Sequence, residues 1–369
     1  MKTRRAFSPE VLEIDAARTA GRIEASIRES VFRQLRRKGA VLGLSGGIDS
    51  SVAAALCVRA LGKDRVLGLF MPEADSCEDS LRLGRHLAGC LGIRTELEDI
   101  TPILAGARCY ERRDDAIRTV VPEYGEGWKS KIVLPNLRDG SAYSLFSVVV
   151  RSPAGAERCV RLTAEAYLGI VAATNFKQRA RMVVEYYHAD RLNHAVVGTP
   201  NLLEYDQGFF VKYGDGAADL KPLAHLYKTQ VYQLAKYLDV PREIQERPPT
   251  TDTYSLPQSQ EEFYFALPYG QMDLCLYGMN HGVPAAEVAA ATGLTVEQAE
   301  RAYRLIDSKR SATRHLHLPP MLVEDAGPDP GLETTCASGA RERPEPVPVP
   351  PPELRPEPAP VPRAVIGAL

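Results

Sequence analysis

The string Gly43-Leu44-Ser45-Gly46-Gly47-Ile48-Asp49-Ser50, followed by Ser51, closes an apolar run and opens a helix-like one. Small residues let a backbone come close to a ligand. A Gly-rich turn at a helix start presents N–H groups and the positive end of the helix dipole to an anion. Ser45, Ser50 and Ser51 add hydroxyl donors suited to phosphate oxygens. The spacing is neither GxGxxG nor GxxxxGK[ST], which excludes the two commonest phosphate loops. Asp49 is out of place in such a cradle, because a carboxylate repels phosphate unless a cation lies between them. Its presence points to Mg²⁺ bridging carboxylate and phosphate. Taken alone, Asp49 reads equally as a helix cap; inside SGGxDS the phosphate reading is favoured.

Three downstream stretches carry further charge. In Asn175-Phe-Lys-Gln-Arg-Ala-Arg-Met182, helical spacing sets Asn175 over Arg179 and Lys177 over Arg181, with cations on two faces. By itself that is an ordinary solvated face, with Arg181 paired to Glu185. Residues 198–235 (GTPNLLEYDQGFFVKYGDGAADLKPLAHLYKTQVYQLA) begin where a strand ends and include Thr199, Glu204, Lys212, Asp219 and Lys228. The third stretch, RPPTTD at 247–252, holds Thr250 and leads into TYSLPQSQEEFYFALPY.

The SGGxDS string resembles the PP-loop of the N-type ATP pyrophosphatases, which split ATP between its α and β phosphates. With the downstream stretches it closely resembles NAD synthetase, whose pattern runs N-x-K-x-R-x-R-M, G-T-x-N-x-x-E, G-F-F-x-K-Y-G-D-G, L-x-K-T-Q-V and P-T-x-D. The resemblance covers roughly residues 20 to 320, apart from 104–162. It implies that Gly43 to Ser50 hold the ATP phosphates, that Thr199, Lys228 and Thr250 complete the nucleotide site, and that Asp49 and Glu204 hold Mg²⁺. It implies that Arg179, Lys212, Asp219 and Lys309 bind the acid, deamido-NAD (nicotinic acid adenine dinucleotide). Asp49 and Lys228 then carry catalysis. The implied product set is NAD, AMP and pyrophosphate, with a homodimer as the assembly. Some positions depart from the pattern: Pro200 stands where G-T-D-N has Asp, Ser308 precedes Lys309 where His is common, and Glu261-Glu262-Phe263-Tyr264-Phe265 replaces an acidic segment with E-L-G. A sister PP-loop ligase acting on another carboxylate, and a nucleotide- or DNA-binding regulator, are the alternative readings.

These residues need a scaffold. Ala40–Leu44, Arg65–Phe70, Arg94–Ile100 and His194–Gly198 read as strands; Ser50–Leu61, Glu78–Leu91 and Thr163–His188 read as helices between them. That alternation predicts an α/β fold with a parallel, doubly wound sheet, whose C-terminal edge binds the ligand. Residues 9 to 38 read as one amphipathic helix. Residues 104–162 read as an insertion with a hairpin around Pro153-Ala-Gly-Ala156. The pair PAAEVAAATG and TVEQAERAYRLIDSKR suits two packed helices, or a helix-turn-helix. Residues 250 to 268 are the candidate lid.

Bulk properties narrow the class. The 369 residues carry 45 basic and 47 acidic side chains, so no basic excess advertises nucleic acid. Seven cysteines, at 57, 77, 90, 109, 159, 275 and 336, form no C-x-x-C pair, which suggests reduced thiols in a cytoplasmic protein. No signal-peptide pattern and no long apolar run is present, so no membrane association is expected. Twelve of the 28 prolines fall within residues 328–369, and 326–369 reads as a disordered Pro-rich tail behind a synthetase-like domain at 1–325. A glutamine-hydrolysing domain would need about two hundred residues, and the phosphate-loop strand begins by Ala40. Free ammonia, or ammonia from a separate protein, is the expected nitrogen source.

Overall fold

The computed structural model describes residues 6–133, 146–250, 253–260, 264–265 and 267–323. The sequence-predicted tail at 326–369 lies outside them.

Four parallel strands form the central sheet in the order β3 (Arg94–Leu97), β2 (Val66–Phe70), β1 (Ala40–Gly43), β7 (Ala195–Val196). β1 and β2 are apolar and almost wholly buried, as befits strands covered on both faces. Helices α1 (Ala16–Arg28), α2 (Ile48–Leu61) and α3 (Glu78–Leu91) supply Ile23, Ile27, Val52, Leu56 and Leu83 to a core that also takes Ala40 and Leu42. The opposite face is covered by α4 (Thr101–Gly106) and α6 (Ala164–Leu192), through Leu104, Ala180, Val184 and Ala189. α5 (Cys109–Arg118) runs beside α6. The doubly wound α/β expectation holds.

Details differ where tertiary packing intervenes. Residues 9 to 38 are not one helix. A 3₁₀ turn (Pro9–Leu12) precedes α1, and a wider π turn (Glu29–Gln34) follows it. Leu12 belongs to a different apolar core from Ile23, Ile27 and Val31, so one straight rod cannot serve both. Asp15 makes the break by accepting the Arg18 N–H at 3.0 Å, which caps α1. The expected strand at 194–198 pairs as β7 only over two residues, then continues through a bridge from Val197 to Leu220.

A second sheet, antiparallel, has the order β4 (Lys129–Val133), β5 (Ser147–Arg151), β6 (Glu157–Arg161). The β5–β6 hairpin turns at Gly155, whose φ of +86° suits glycine. β4 was not expected from the sequence. Its Ile132 joins Val148, Val150, Tyr124, Tyr167 and Ile170 in a second core. Helices α7 (Leu202–Gln207), α10 (Tyr269–Asn280), α11 (Ala285–Thr292) and α12 (Val296–His317) extend that core with Leu203, Met272, Val288 and Ile306. The α11–α12 pair is thus built into the second core. α8 (Lys228–Tyr237) buries Val231 and Leu234 in the first core, and the short α9 (Arg242–Glu246) adds Ile244. No helix among the described residues is long and apolar enough to cross a membrane.

Candidate active site

β1 ends at Gly43, and the chain turns through Ser45-Gly46-Gly47 into α2. Gly46 has φ +71°, and a Cβ there would lie 2.5 Å from the Ser80 carbonyl oxygen, so this corner admits only glycine. The turn is stitched internally. Ser50 and Ser51 donate from Oγ to the Gly47 carbonyl at 3.0 and 2.8 Å, and the Gly47 N–H donates to Ser45 Oγ at 3.3 Å. The result is a rigid loop over the N-terminus of a 14-residue helix, with Asp49 in its first turn.

Asp49 meets two residues far away in sequence. Lys228 Nζ forms an ion pair with its Oδ2, and Asn201 Nδ2 donates to its Oδ1 at 3.1 Å. Each partner is fixed by a helix start. Lys228 is the first residue of α8, whose N-terminal amides at Lys228 and Thr229 donate to Asp273 of α10 at 3.3 and 2.8 Å. Asn201 caps α7: its side chain accepts the Glu204 N–H at 3.2 Å while Glu204 Oε2 accepts the Asn201 N–H at 3.1 Å.

The electrostatics follow from burial. Lys228 is 1% exposed and Glu204 8%. Burial pushes the Glu204 carboxyl up to about 8, and the Asp49 charge adds to that push. For Lys228, burial works to lower the ammonium's pKa; Asp49 and Glu204 outweigh it and hold the group above its ordinary value. One cation therefore serves two carboxylates.

These residues line a cavity of about 320 Å³ at the C-terminal edge of the parallel sheet. Gly43, Leu44, Ser45, Gly47, Ile48, Asp49, Ser50, Thr199, Glu204, Lys228 and Thr250 all face it. Gly46 supports the loop from behind, against Ser80. The cavity also takes Met71 and Pro72 beyond β2, Asn175 and Arg181 from α6, and Arg247, Thr253 and Tyr254.

The four residues assigned to the acid are placed elsewhere. Arg179 is exposed, and its Nε donates to the Lys212 carbonyl at 3.4 Å; Lys212 Nζ donates to the His315 carbonyl at 2.9 Å. Asp219 accepts the Val196 N–H at 2.7 Å and the Tyr186 hydroxyl at 3.1 Å. Lys309 is 1% exposed, donates to the Tyr264 carbonyl, and lies 3.9 Å from the centre of the Tyr264 ring. Arg179 and Lys212 thus meet, while none of the four lines the cavity.

Sequence reasoning missed several members. Asn201 carried a signal, since Asn-x-x-Glu is a capping-box spacing. Helical spacing alone places Lys177 among the cations of a solvated face. It is fully buried instead, holding Glu73 at 2.9 Å, Asp75 at 2.7 Å and the Thr253 carbonyl at 2.7 Å. Arg113 of α5 shares Asp75. No spacing links those positions in the chain.

The family model for NAD synthase matches residues 19–120 and 157–315. The chain belongs to the NAD synthase family. A relative from Mesorhizobium japonicum, named NH(3)-dependent NAD(+) synthetase, is 59% identical over 319 residues, covering 86% of this chain and 100% of that protein. One of the same name from Rhizobium meliloti is 58% identical, covering 88% of this chain and 96% of that protein. Among solved structures, the NH3-dependent NAD synthetase of Campylobacter jejuni aligns with a TM-score of 0.55 at 23% identity, covering 85% of this chain and 100% of that one. The NMN synthetase of Francisella tularensis aligns at 0.58 and 22%, covering 84% and 99%. At those identities the two structures speak for the shared fold.

Proposed function

We propose that this member of the family is an ATP-dependent, amide-forming ligase that adenylates the nicotinate carboxylate of deamido-NAD and transfers ammonia to it, releasing NAD, AMP and pyrophosphate. A carboxylate is a weak electrophile, and its hydroxide is a poor leaving group. Attack of the carboxylate oxygen on the α-phosphorus of ATP expels pyrophosphate and leaves an acyl adenylate. Ammonia then adds to the acyl carbon, AMP departs with the bonding electron pair, and a proton is lost from nitrogen. The enzyme supplies no covalent nucleophile. Its work is to position, to neutralise charge and to exclude water.

The observation that carries the reading is the joining of Asp49, Lys228 and Glu204 at one Gly-rich loop. The amides of Ile48 to Ser50 at the α2 N-terminus face the phosphates. Lys228, already clamped at the loop, neutralises charge on the departing pyrophosphate. Thr199 and Thr250 close the nucleotide cavity. Arg179 and Lys212 form the cationic patch for the anionic dinucleotide, with Asp219 and Lys309 as its further contacts.

The same set suits Mg²⁺. Magnesium prefers hard oxygen donors and is held by one or two carboxylates together with substrate phosphates and water. Asp49 and Glu204 give two such carboxylates, and among the described residues no larger cluster of His, Cys, Asp or Glu surrounds them. A Glu204 carboxyl raised by burial and by the neighbouring Asp49 charge is what an added cation would relieve. Bound there, the ion would offset charge on the phosphate oxygens. The assembly in this reading is a homodimer, with the N-terminal helix α1 as its contact.

The test is product stoichiometry. Purified protein given ATP, Mg²⁺, ammonium and deamido-NAD should form NAD, AMP and pyrophosphate in equal amounts; ADP as the product overturns the reading. Asp49→Asn should lower the Tm, since Lys228 loses its ion-pair partner, and, assayed well below that Tm, should lose turnover by about 100-fold or more.

A further inference from the structure

We infer that the β4–β5–β6 sheet is a fixture for the segment that roofs the nucleotide cavity, and that Ser130, Ser255 and Gln258 are positioning residues for the adenylate step. The family match leaves residues 121–156 uncovered, and β4 and β5 lie inside that gap. One edge of β4 pairs with β5. The chain at 255–258 lies along β4 as well. The Leu256 N–H donates to the Ser130 carbonyl at 3.2 Å, and the Ser130 N–H donates to Ser255 Oγ at 2.9 Å. Gln258 Nε2 donates to the Ile132 carbonyl, and Lys131 Nζ donates to the Pro257 carbonyl at 3.3 Å. An open strand edge is a template for another strand, and here the chain's own segment occupies it.

That segment belongs to the cavity wall. Thr253, Tyr254 and Gln260 line the cavity, and the Tyr254 hydroxyl is hydrogen-bonded to Thr174 of α6. The segment's ends are closed by a Thr250–Ser259 bridge and by the Gln260 N–H donating to the Pro249 carbonyl at 3.3 Å. Lys177, held by Glu73 and Asp75, fastens the Thr253 carbonyl from the α6 side. The roof is therefore tied to α6 at Thr253 and Tyr254, and to the sheet from Ser255 to Gln258.

The inference rests on the reaction proposed above. An acyl adenylate is lost when a water oxygen adds to the acyl carbon, the acyl C–O bond to AMP breaks with its electron pair leaving on AMP, and the water gives up a proton. The acid is regenerated and ATP is consumed without amide. A roof held in place keeps water from that carbon.

The full-length Ser255→Ala/Gln258→Ala double variant is the test, with AMP and NAD measured in one reaction at limiting ammonium. The wild type should form them in equal amounts. The double variant should form about fivefold more AMP than NAD, on the scale of one or two lost hydrogen bonds. Ser255→Thr with Gln258 intact should bring the ratio back to one. Arg151→Ala, which breaks the Arg151–Glu157 pair across the β5–β6 hairpin, should leave it at one. A ratio of one in the double variant, whatever its kcat, overturns the inference. Amide exchange at Leu256 checks the fixture without substrate: slow in the wild type and fast in the double variant. Fast exchange in the wild type overturns the fixture. Slow exchange in a wild type that makes no NAD faults the reaction instead.

Discussion

Asn201 holds the Asp49 carboxylate at 3.1 Å with the same side chain whose oxygen caps α7. One amide thus ties the phosphate loop on β1 to the helix that carries Glu204. It does so because an amide offers both an acceptor and donors. An aspartate would cap equally well but would set a third carboxylate against Asp49 and Glu204.

Two substitutions separate those roles. Asn201→Ala loses the cap and leaves buried groups unpaired, for a cost of roughly 1–3 kcal/mol of stability. Asn201→Asp keeps the cap, so its stability loss should grow with pH as the added carboxyl ionises. Both should lower kcat. Denaturant unfolding at several pH values distinguishes them; parallel pH curves for the two variants would refute the shared role.

The ion pair of Lys228 with Asp49 predicts a metal response. Lys228→Met removes the only cation shown hydrogen-bonded to Asp49 in the described structure and leaves the buried Glu204 beside a partly exposed Asp49, costing about 3 kcal/mol or less. Added Mg²⁺ should then raise the Tm of Lys228→Met more than that of the wild type, while NAD formation stays low. Thermal scans with and without Mg²⁺ read this directly. An equal rise in both proteins would mean that the ion does not bind at these carboxylates.

Glu204 gives a pH dependence with a definite sign. Its folded pKa, about 8, stands above its ordinary value of 4.5, so the folded state binds the extra proton. Its contribution to stability is full below 4.5 and is lost as pH rises through about 8. The metal-free wild type should lose stability across that window, and Glu204→Gln should flatten the loss. Mg²⁺ binding should release a proton from the wild type and none from Glu204→Gln. Calorimetric titration in buffers of different ionisation enthalpy measures that proton.

Much of this site was readable from local pattern. The SGGxDS string, the strand–helix alternation and the G-T-x-N-x-x-E spacing each act within a few residues, and the parallel sheet follows from them. What sequence could not supply are contacts whose partners are set only by packing. Lys177 looks like a surface cation on α6, yet Glu73 and Asp75 beyond β2 bury it. β4 escaped notice because its Lys129-Ser-Lys-Ile-Val133 is half polar, and its inward positions, Ser130 and Ile132, matter only once β5 and the 255–258 segment flank it. Spacing alone puts Leu12 on the one helix expected over residues 9 to 38, and its place in the other core is a tertiary fact.

The last prediction concerns Lys309. Burial pulls its ammonium down to about 7 from 10.5, its neighbours being the Tyr264 carbonyl and the Tyr264 and Phe265 rings. The folded state thus binds the Lys309 proton more weakly than the unfolded chain does. The penalty is full below about 7 and fades as pH rises toward 10.5. Lys309→Met keeps the stem and removes the charge, so it should stabilise the substrate-free protein by roughly 1–4 kcal/mol at low pH and progressively less in alkali. If Lys309 also receives the acid substrate, the same variant should raise the KM for deamido-NAD by about tenfold, through loss of a charge-assisted contact, and leave the KM for ATP nearly unchanged. Bound deamido-NAD should in turn raise the Lys309 pKa, a shift visible by NMR of the lysine side chain. A variant that is more stable with an unaltered KM would confine Lys309 to the core. One that is less stable at every pH would show that the ring and carbonyl contacts outweigh the cost of burying the charge.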